Sequence, residues 1–282
     1  MKKDYDKNYY VVKADEIEKN FDADGVAKTE LLPGVYDGGI RSFKYFLKAG
    51  SSVKPELYAD KTVIIFFGKG NGELEDCDGV HQITELAFYA PFFDKVPYEI
   101  RAKEDMEFVF NVVDMNEYDK AEYDRWHIAL PYFRLHSECV RYVQDCKGPH
   151  TEARMVLCTG WLGRIILGTT RANGEGTTEA GHPAVHQWNY CVGDSDFSMS
   201  VGYKKDNNME TINHKAGDWS FIPAGADHAG KLRRAVRHSG LRRTAAGMCL
   251  RPLHRHGLLP QFRRRFPENL QPELPGPLRH PG

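Results

Sequence analysis

Three histidines, His182, His186 and His228, stand in a pattern suited to holding a metal ion. In an extended strand, residues four apart point to one face, so His182 and His186 share a wall if the strand through them is continuous. The run Pro223, Ala224, Gly225 is a turn signal that would swing His228 in as a third imidazole. Three convergent neutral imidazoles suit a divalent metal (Fe, Mn, Ni, Co or Zn) and leave positions open for water or substrate. Gln187, Asn189 and Tyr190 lie on the same segment and offer hydrogen bonds around such a centre, and Gln187 and Tyr190 are the candidates for a catalytic role. The competing reading is the same pocket without metal, with His186 a hydrogen-bonded imidazole. Trp188, Trp219 and Phe221 read as packing, since aromatic side chains dominate cores. His81, His127, His136, His150 and His214 are isolated and read as surface or structural groups.

The stretch Gly217 to His228 (GDWSFIPAGADH) follows the pattern G-x5-P-x-G-x2-H, and in this it resembles the second sequence motif of the cupin superfamily. The first motif of that superfamily, G-x5-H-x-H-x3-E-x6-G, can be laid on Gly174 to Gly193 with its spacing intact. Ala180 then stands in the place of the first His and His186 in the place of the Glu, so the likeness is to a variant metal cupin. Earlier in the chain, Ala49 to Lys54 with the strand-like run TVIIFFGKG, followed by YAPFFDKVPYEIRAKED, occupies the places of a second pair of motifs. Lys54, Glu56 and Tyr98 fall there, where ligands would sit, but no His does. The resemblance is therefore to a bicupin in which one barrel keeps the site and the other serves structure or dimerisation.

The elements that must position these residues are short runs rich in β-branched and aromatic residues, separated by Gly, Asp, Asn and Pro. Examples are Thr62–Gly68, Glu107–Val113, Arg164–Arg171 and Gln187–Val192. Many short strands at regular intervals point to an all-β fold. The expected architecture is two tandem cupin barrels (double-stranded β-helix, jelly-roll) with a short helical N-terminal arm and a partly helical connector. Helices are expected over Ala14–Phe21 and over Tyr132–Cys146. The expected divisions are an arm over 1–29, a degenerate barrel over 30–130, the connector over 131–154, the barrel with the metal pocket over 155–232, and a tail over 233–282.

The formal net charge of -1 conceals an uneven distribution. Residues 1–228 hold 26 Lys and Arg against 37 Asp and Glu, net -11, whereas residues 229–282 hold 12 against 2, net +10. The tail contains 11 Arg and seven Pro but no Ile, Tyr or Trp, a composition too poor in apolar residues to order itself. The change falls where the cupin motif would end in Asn, a slot occupied by Leu232. A basic arm for phosphates, a solubilising tail and a C-terminus read out of frame all fit this composition, and the last is favoured. On that reading no strand is expected after residue 232, and nucleic acid is not expected as a partner. The six Cys have no CxxC pair and read as reduced thiols. With no apolar run of membrane length and no leader-like start, a cytoplasmic location is the default.

The cupin resemblance implies a metal-dependent enzyme of the dioxygenase, decarboxylase, isomerase or lyase type. Its substrate would be a small polar metabolite such as a carboxylate, keto acid or sugar acid, and the protein would be a homodimer. The alternative is a metal-free cupin that binds a small ligand as a sensor without catalysis.

Overall fold

The computed structural model describes residues 5–36, 38–172, 174–179, 185–193, 196–232 and 243–250, so His182 lies outside the described residues. An N-terminal strand, β1 (Tyr10–Val12), precedes nine strands of a first barrel. These are β2 (Val26–Leu31), β3 (Ile40–Leu47), β4 (Ser52–Val53), β5 (Lys61–Lys69), β6 (Gly72–Asp76), β7 (Gly79–Ile83), β8 (Ala87–Ala90), β9 (Glu99–Ala102) and β10 (Met106–Asp114). Helix α1 (Glu117–Trp126), β11 (Tyr132–Leu135) and β12 (Val140–Tyr142) follow. The second barrel comprises β13 (Thr151–Leu157), β14 (Ile165–Ala172), β15 (Gly174–Glu179), β16 (His186–Val192), β17 (Asp196–Gly202), β18 (Glu210–Lys215), β19 (Trp219–Ile222), β20 (Asp227–Leu232) and β21 (Arg243–Leu250).

Each barrel is a pair of antiparallel sheets. The first joins a six-stranded sheet, ordered β11-β8-β5-β10-β3-β2, to a four-stranded one, β4-β9-β6-β7. The second joins a seven-stranded sheet, β1-β19-β16-β21-β14-β13-β12, to β15-β20-β17-β18. The two large sheets pack outer face against outer face, so their strands are buried on both sides. This is why β5 (KTVIIFFGK) and β10 (MEFVFNVVD) are almost continuously apolar instead of alternating. Period two still sorts their side chains. Ile64, Phe66, Val109 and Val113 go to the layer between the barrels, while Val63, Ile65, Phe67, Phe108 and Phe110 go to the interior of the first.

The all-β architecture is as the strand pattern indicates, but the helical segments are not. Residues 14–16 form a turn and 17–21 run on without regular structure. The Ala14 amide donates to Asp218 Oδ1 at 2.9 Å and the Lys13 amide to Glu16 Oε2 at 2.9 Å, so carboxylates take the donors that a helix would bond internally. The N-terminal arm is instead a strand of the second barrel, β1 on β19, that leads into the first barrel at β2.

Residues 132–146 likewise are not a helix: β11 pairs with β8, a short 3-10 turn covers His136–Glu138, and β12 pairs with β13. Val143, which a helix would have buried, is 94% exposed. The helix that does form, α1, carries an Asn116–Asp119 capping box. Its buried Asp119 accepts from Arg164 Nη2 at 2.9 Å, fastening α1 to the second barrel.

The expectation of no strand beyond residue 232 is corrected by β21, which fills the slot between β14 and β16 with ladders on both sides. The run RTAAGMCL has almost no β-branched residues, so propensity does not mark it. Pairing is made by backbone groups, and two flanking strands present complementary rows of them. Residues 233–242 and 251–282 lie outside the described residues.

Candidate functional site

The interior of the second barrel is lined by Ala172, Cys191, Phe197, Met199, Val201, Ile222 and Ala226, with Tyr9 entering from the arm. On β16 the alternation sends Cys191 inward with Asn189 and Gln187, while His186, Trp188, Tyr190 and Val192 face the layer between the barrels. Asn189 lies directly across from Ser220, and Gln187 across from Ile222. The Gln187 carboxamide nitrogen donates to Asn189 Oδ1 at 2.9 Å, and the Asn189 carboxamide nitrogen reaches Ser220 Oγ at 3.5 Å.

His228 belongs to this interior. It sits on β20 directly opposite Val201, on the same face, and is 2% exposed. The preceding turn reaches it through Gly225, whose φ of +102° is ground that only glycine occupies without strain. The ring Nδ1 lies 3.4 Å from the Ala226 carbonyl.

His186 does not converge with it. Its ring packs 5.0 Å from Tyr36, 5.6 Å from Phe221 and 5.8 Å from Tyr5, on the outer side of the seven-stranded sheet. Its Nδ1 accepts the Ala224 amide at 3.1 Å, which uses that lone pair and puts the proton on Nε2. The expected shared wall for His182 and His186 assumed one continuous strand. In fact β15 ends at Glu179 in the four-stranded sheet and β16 begins at His186 in the seven-stranded one, so the parity count does not run through.

Tyr190 also faces out, where its hydroxyl bonds Lys44 Nζ at 2.5 Å, so it is not part of the barrel pocket. Trp188, Trp219 and Phe221 are core, as their residue types suggest.

The first barrel differs in kind. Its interior is packed with rings, among them Tyr45 stacked on Phe108 at 4.8 Å and Phe67 at 5.5 Å from Phe108; His81, directly across from the buried Leu74, stacks on Phe133 at 4.8 Å, with Nε2 3.2 Å from Asp76 Oδ1. Lys54 is exposed, Glu56 accepts from the Tyr58 hydroxyl at 2.7 Å, and the Tyr98 hydroxyl is buried without a partner. The group Asp76, Cys77 and Asp78 lies close enough together for a cation, but it occupies the β6–β7 turn, where Asp76 accepts the Asp78 amide at 2.9 Å and the Tyr89 hydroxyl at 3.0 Å.

Of the isolated histidines read as surface or structural groups, His136 and His214 are buried structural ones. His136 bonds Thr169 Oγ1 at 2.9 Å between the barrels, and burial lowers its pKa to about 4. His214 is fully buried inside the second barrel, stacked on Phe197 at 4.4 Å, and the Tyr9 hydroxyl bonds its Nε2. Burial lowers its pKa also to about 4. No local spacing marks either residue, because each partner lies far away in sequence.

No family model and no curated protein matches the chain. Solved structures do. A protein from Pseudomonas aeruginosa described as glyoxylate-induced aligns with TM-score 0.66 at 11% identity, over 92% of this chain and 94% of that one. An oxalate decarboxylase of Lactobacillus farciminis in complex with formate aligns with TM-score 0.61 at 12% identity, over 86% of each chain. A cupin 2 conserved barrel domain protein of Leptotrichia buccalis aligns with TM-score 0.54 at 12% identity, over 86% of this chain and 96% of that one. At these identities the likeness is one of fold: the chain has the all-β fold of two tandem cupin-type barrels.

Proposed function

We propose that the second barrel is the working half of a metal-dependent cupin enzyme acting on a small polar metabolite: a carboxylate, keto acid or sugar acid. The observation that carries this reading is His228. Its side chain is buried on the inner wall, and its Nδ1 lies against a backbone carbonyl, the outer contact that metal-ligating imidazoles commonly make. A neutral imidazole and the carboxamide oxygen of Gln187 are donors that a divalent cation accepts. His182 joins them by its place in the motif, and His186 is dropped from the set. When bound, a divalent ion supplies Lewis acidity toward a substrate carbonyl or hydroxyl oxygen.

The chain's own residues do the rest. Phe197, Met199 and Val201 line an apolar wall that excludes water, and Gln187 orients substrate or ion. A carboxamide has no titrating proton at neutral pH, so the role of Gln187 is positioning and not proton transfer. Likeness of fold to an oxalate decarboxylase with formate supports a small carboxylate as the ligand class.

The test is metal analysis of the full chain after loading with Fe, Mn, Ni, Co and Zn in turn. One equivalent is expected, lost in His228→Ala and His182→Ala and kept in His186→Phe, with near-UV circular dichroism reporting the fold of each variant. No metal under any loading condition overturns the proposal. It would favour the alternative, a metal-free small-ligand binder, already made more economical by the departure of His186 from the pocket.

A further inference from the structure

In each barrel two sheet edges meet along a seam, and a histidine with an aromatic partner crosses it. The seven-stranded sheet ends in β1 and the four-stranded sheet of the same barrel in β18; in the first barrel the corresponding edges are β11 and β7. Across the first seam the His81 ring of β7 stacks on Phe133 of β11 at 4.8 Å. Across the second, the hydroxyl of Tyr9, just ahead of β1, bonds Nε2 of His214 on β18, with the ring centres 5.6 Å apart.

The two histidines stand in different electrostatic positions. His81 has Nε2 3.2 Å from Asp76 Oδ1 and a side chain 25% exposed, so a proton placed on it meets a carboxylate and water. His214 is 0% exposed, lies flat on Phe197 at 4.4 Å, and has a neutral phenol as its partner across the seam. Charged and titratable groups come to it from four elements. The arm brings Tyr9 and also Lys13, whose Nζ bonds the carbonyl of neighbouring Asn213. The turn ahead of β19 brings Asp218, which accepts the Lys215 amide at 3.0 Å and pairs with Lys13 at 3.0 Å. The buried Cys191 thiol comes from β16, and β17 brings Phe197, with Asp196 next along and opposite Lys215. Among the described residues no carboxylate is hydrogen-bonded to the His214 ring, and Asp218 already serves Lys13 and the amides of Ala14 and Lys215. Burial, aided by the Lys13 charge and opposed by that of Asp218, lowers the His214 pKa to about 4.

An imidazolium in that position is costly, and the cost is relieved once water reaches it. The part able to move is the arm. Strand β1 is three residues long and pairs with β19 alone, and its other polar fasteners are the contacts of Lys13 and Ala14 with Asp218. Short edge segments open at lower free energy than central strands. From this contrast we infer that the Tyr9–His214 pair is an acid-released latch. A proton on His214 frees β1 from β19 and opens the second barrel along its β1–β18 seam, while the β7–β11 seam of the first barrel stays shut. His214 pairs with Phe197 and His228 with Val201, four residues further along β17, so the opening lies about 13 Å from His228. Release takes Tyr9 out of the inner wall and gives the interior a second mouth, remote from His228. The latch stands on contacts that need no metal.

Hydrogen exchange of the full chain, read by mass spectrometry and corrected for intrinsic amide rates at each pH, tests this. Opening of β1 is expected to be about twentyfold more frequent at pH 5 than at pH 7, the factor for a group that titrates near 4 when latched and near 6.5 when free. Strands β10 and β16 should remain protected at pH 5, and β11 should change by less than about threefold. Loss of protection in β1, β10 and β16 together, the mark of global unfolding, overturns the latch. So does a rise in β11 equal to that in β1.

Three variants separate the latch from its neighbours. His214→Gln should abolish the acid response of β1, whereas Asp218→Asn should keep it; the reverse outcome would make Asp218 the trigger and sink the proposal. Tyr9→Phe leaves the imidazole in place and keeps the reading available if His214→Gln does not fold. It should open β1 at least about fivefold more often already at pH 7, the scale of one lost hydrogen bond, and an unchanged rate would show that the phenol fastens nothing.

Discussion

Lys44 of the first barrel donates to the Tyr190 hydroxyl of the second at 2.5 Å, and both side chains are buried. Glu107 Oε2 stands 3.2 Å from the same ammonium, and the Lys44 Nζ lies 4.4 Å from the centre of the Tyr190 ring. Burial alone would lower the Lys44 pKa, but the Tyr190 oxygen and the Glu107 carboxylate outweigh it and hold the ammonium above its ordinary value. The contact is close enough to constrain the facing strand: a Cβ at Gly68 would meet the Tyr190 ring at 2.4 Å. Tyr190, a pocket candidate by its place in the sequence, is thus a joint between two barrels.

Tyr190→Phe is therefore expected to destabilise the fold by about 1–3 kcal/mol, the range for leaving a buried donor one partner short. Metal content and the Co(II) absorption spectrum should be unchanged. Urea unfolding together with metal titration checks both, and a loss of metal without loss of stability would return Tyr190 to the pocket.

Asp119 joins α1 to the second barrel through Arg164, with the two side chains 4% and 10% exposed. Removing one member of a buried pair leaves an uncompensated charge, so Asp119→Ala is expected to cost about 3 kcal/mol or more. The double variant Asp119→Ala, Arg164→Met should recover part of that loss, because it removes the stranded guanidinium. Denaturant melts of the single and double variants decide this, and additive losses would contradict it.

Acid should weaken the fold through its buried imidazoles. The pKa of His214 lies at about 4 in the folded chain against 6.5 for a free imidazole, and that of His136 is lowered likewise. Between these values the unfolded chain takes up a proton that the folded chain does not, so stability is full above pH 6.5 and falls as pH drops toward 4. For His214 the full effect is about 3 kcal/mol. Unfolding free energies measured from pH 7.5 to 4.5 should show this fall, and a flat profile would contradict it.

The second-motif stretch is legible without any structure because its constraints are local. Gly225 is needed for a positive φ, and the turn it makes delivers His228 to the inner wall wherever the rest of the chain lies. The strand-rich, two-barrel character is equally local in origin, since apolar runs such as those of β5 and β10 can be satisfied only by sheets covered on both faces. By contrast, α1 is marked in sequence only by its Asn116 cap, set among stronger strand signals, and nothing local marks β21.

What tertiary structure alone decided is the direction in which side chains point and the partners they meet. Whether His186 or Gln187 faces the pocket depends on where one strand ends and the next sheet begins, and a slip of a single residue exchanges the two faces. Tyr9 meets His214 across 205 residues and Lys44 meets Tyr190 across 146, distances over which neither periodicity nor motif spacing has any reach. The sequence by itself determined the local turn, with Gly225 at its positive φ, that carries His228 to the interior of the second barrel. Packing decided that His228, and not His186, faces it, and that the N-terminal arm contributes to its inner wall.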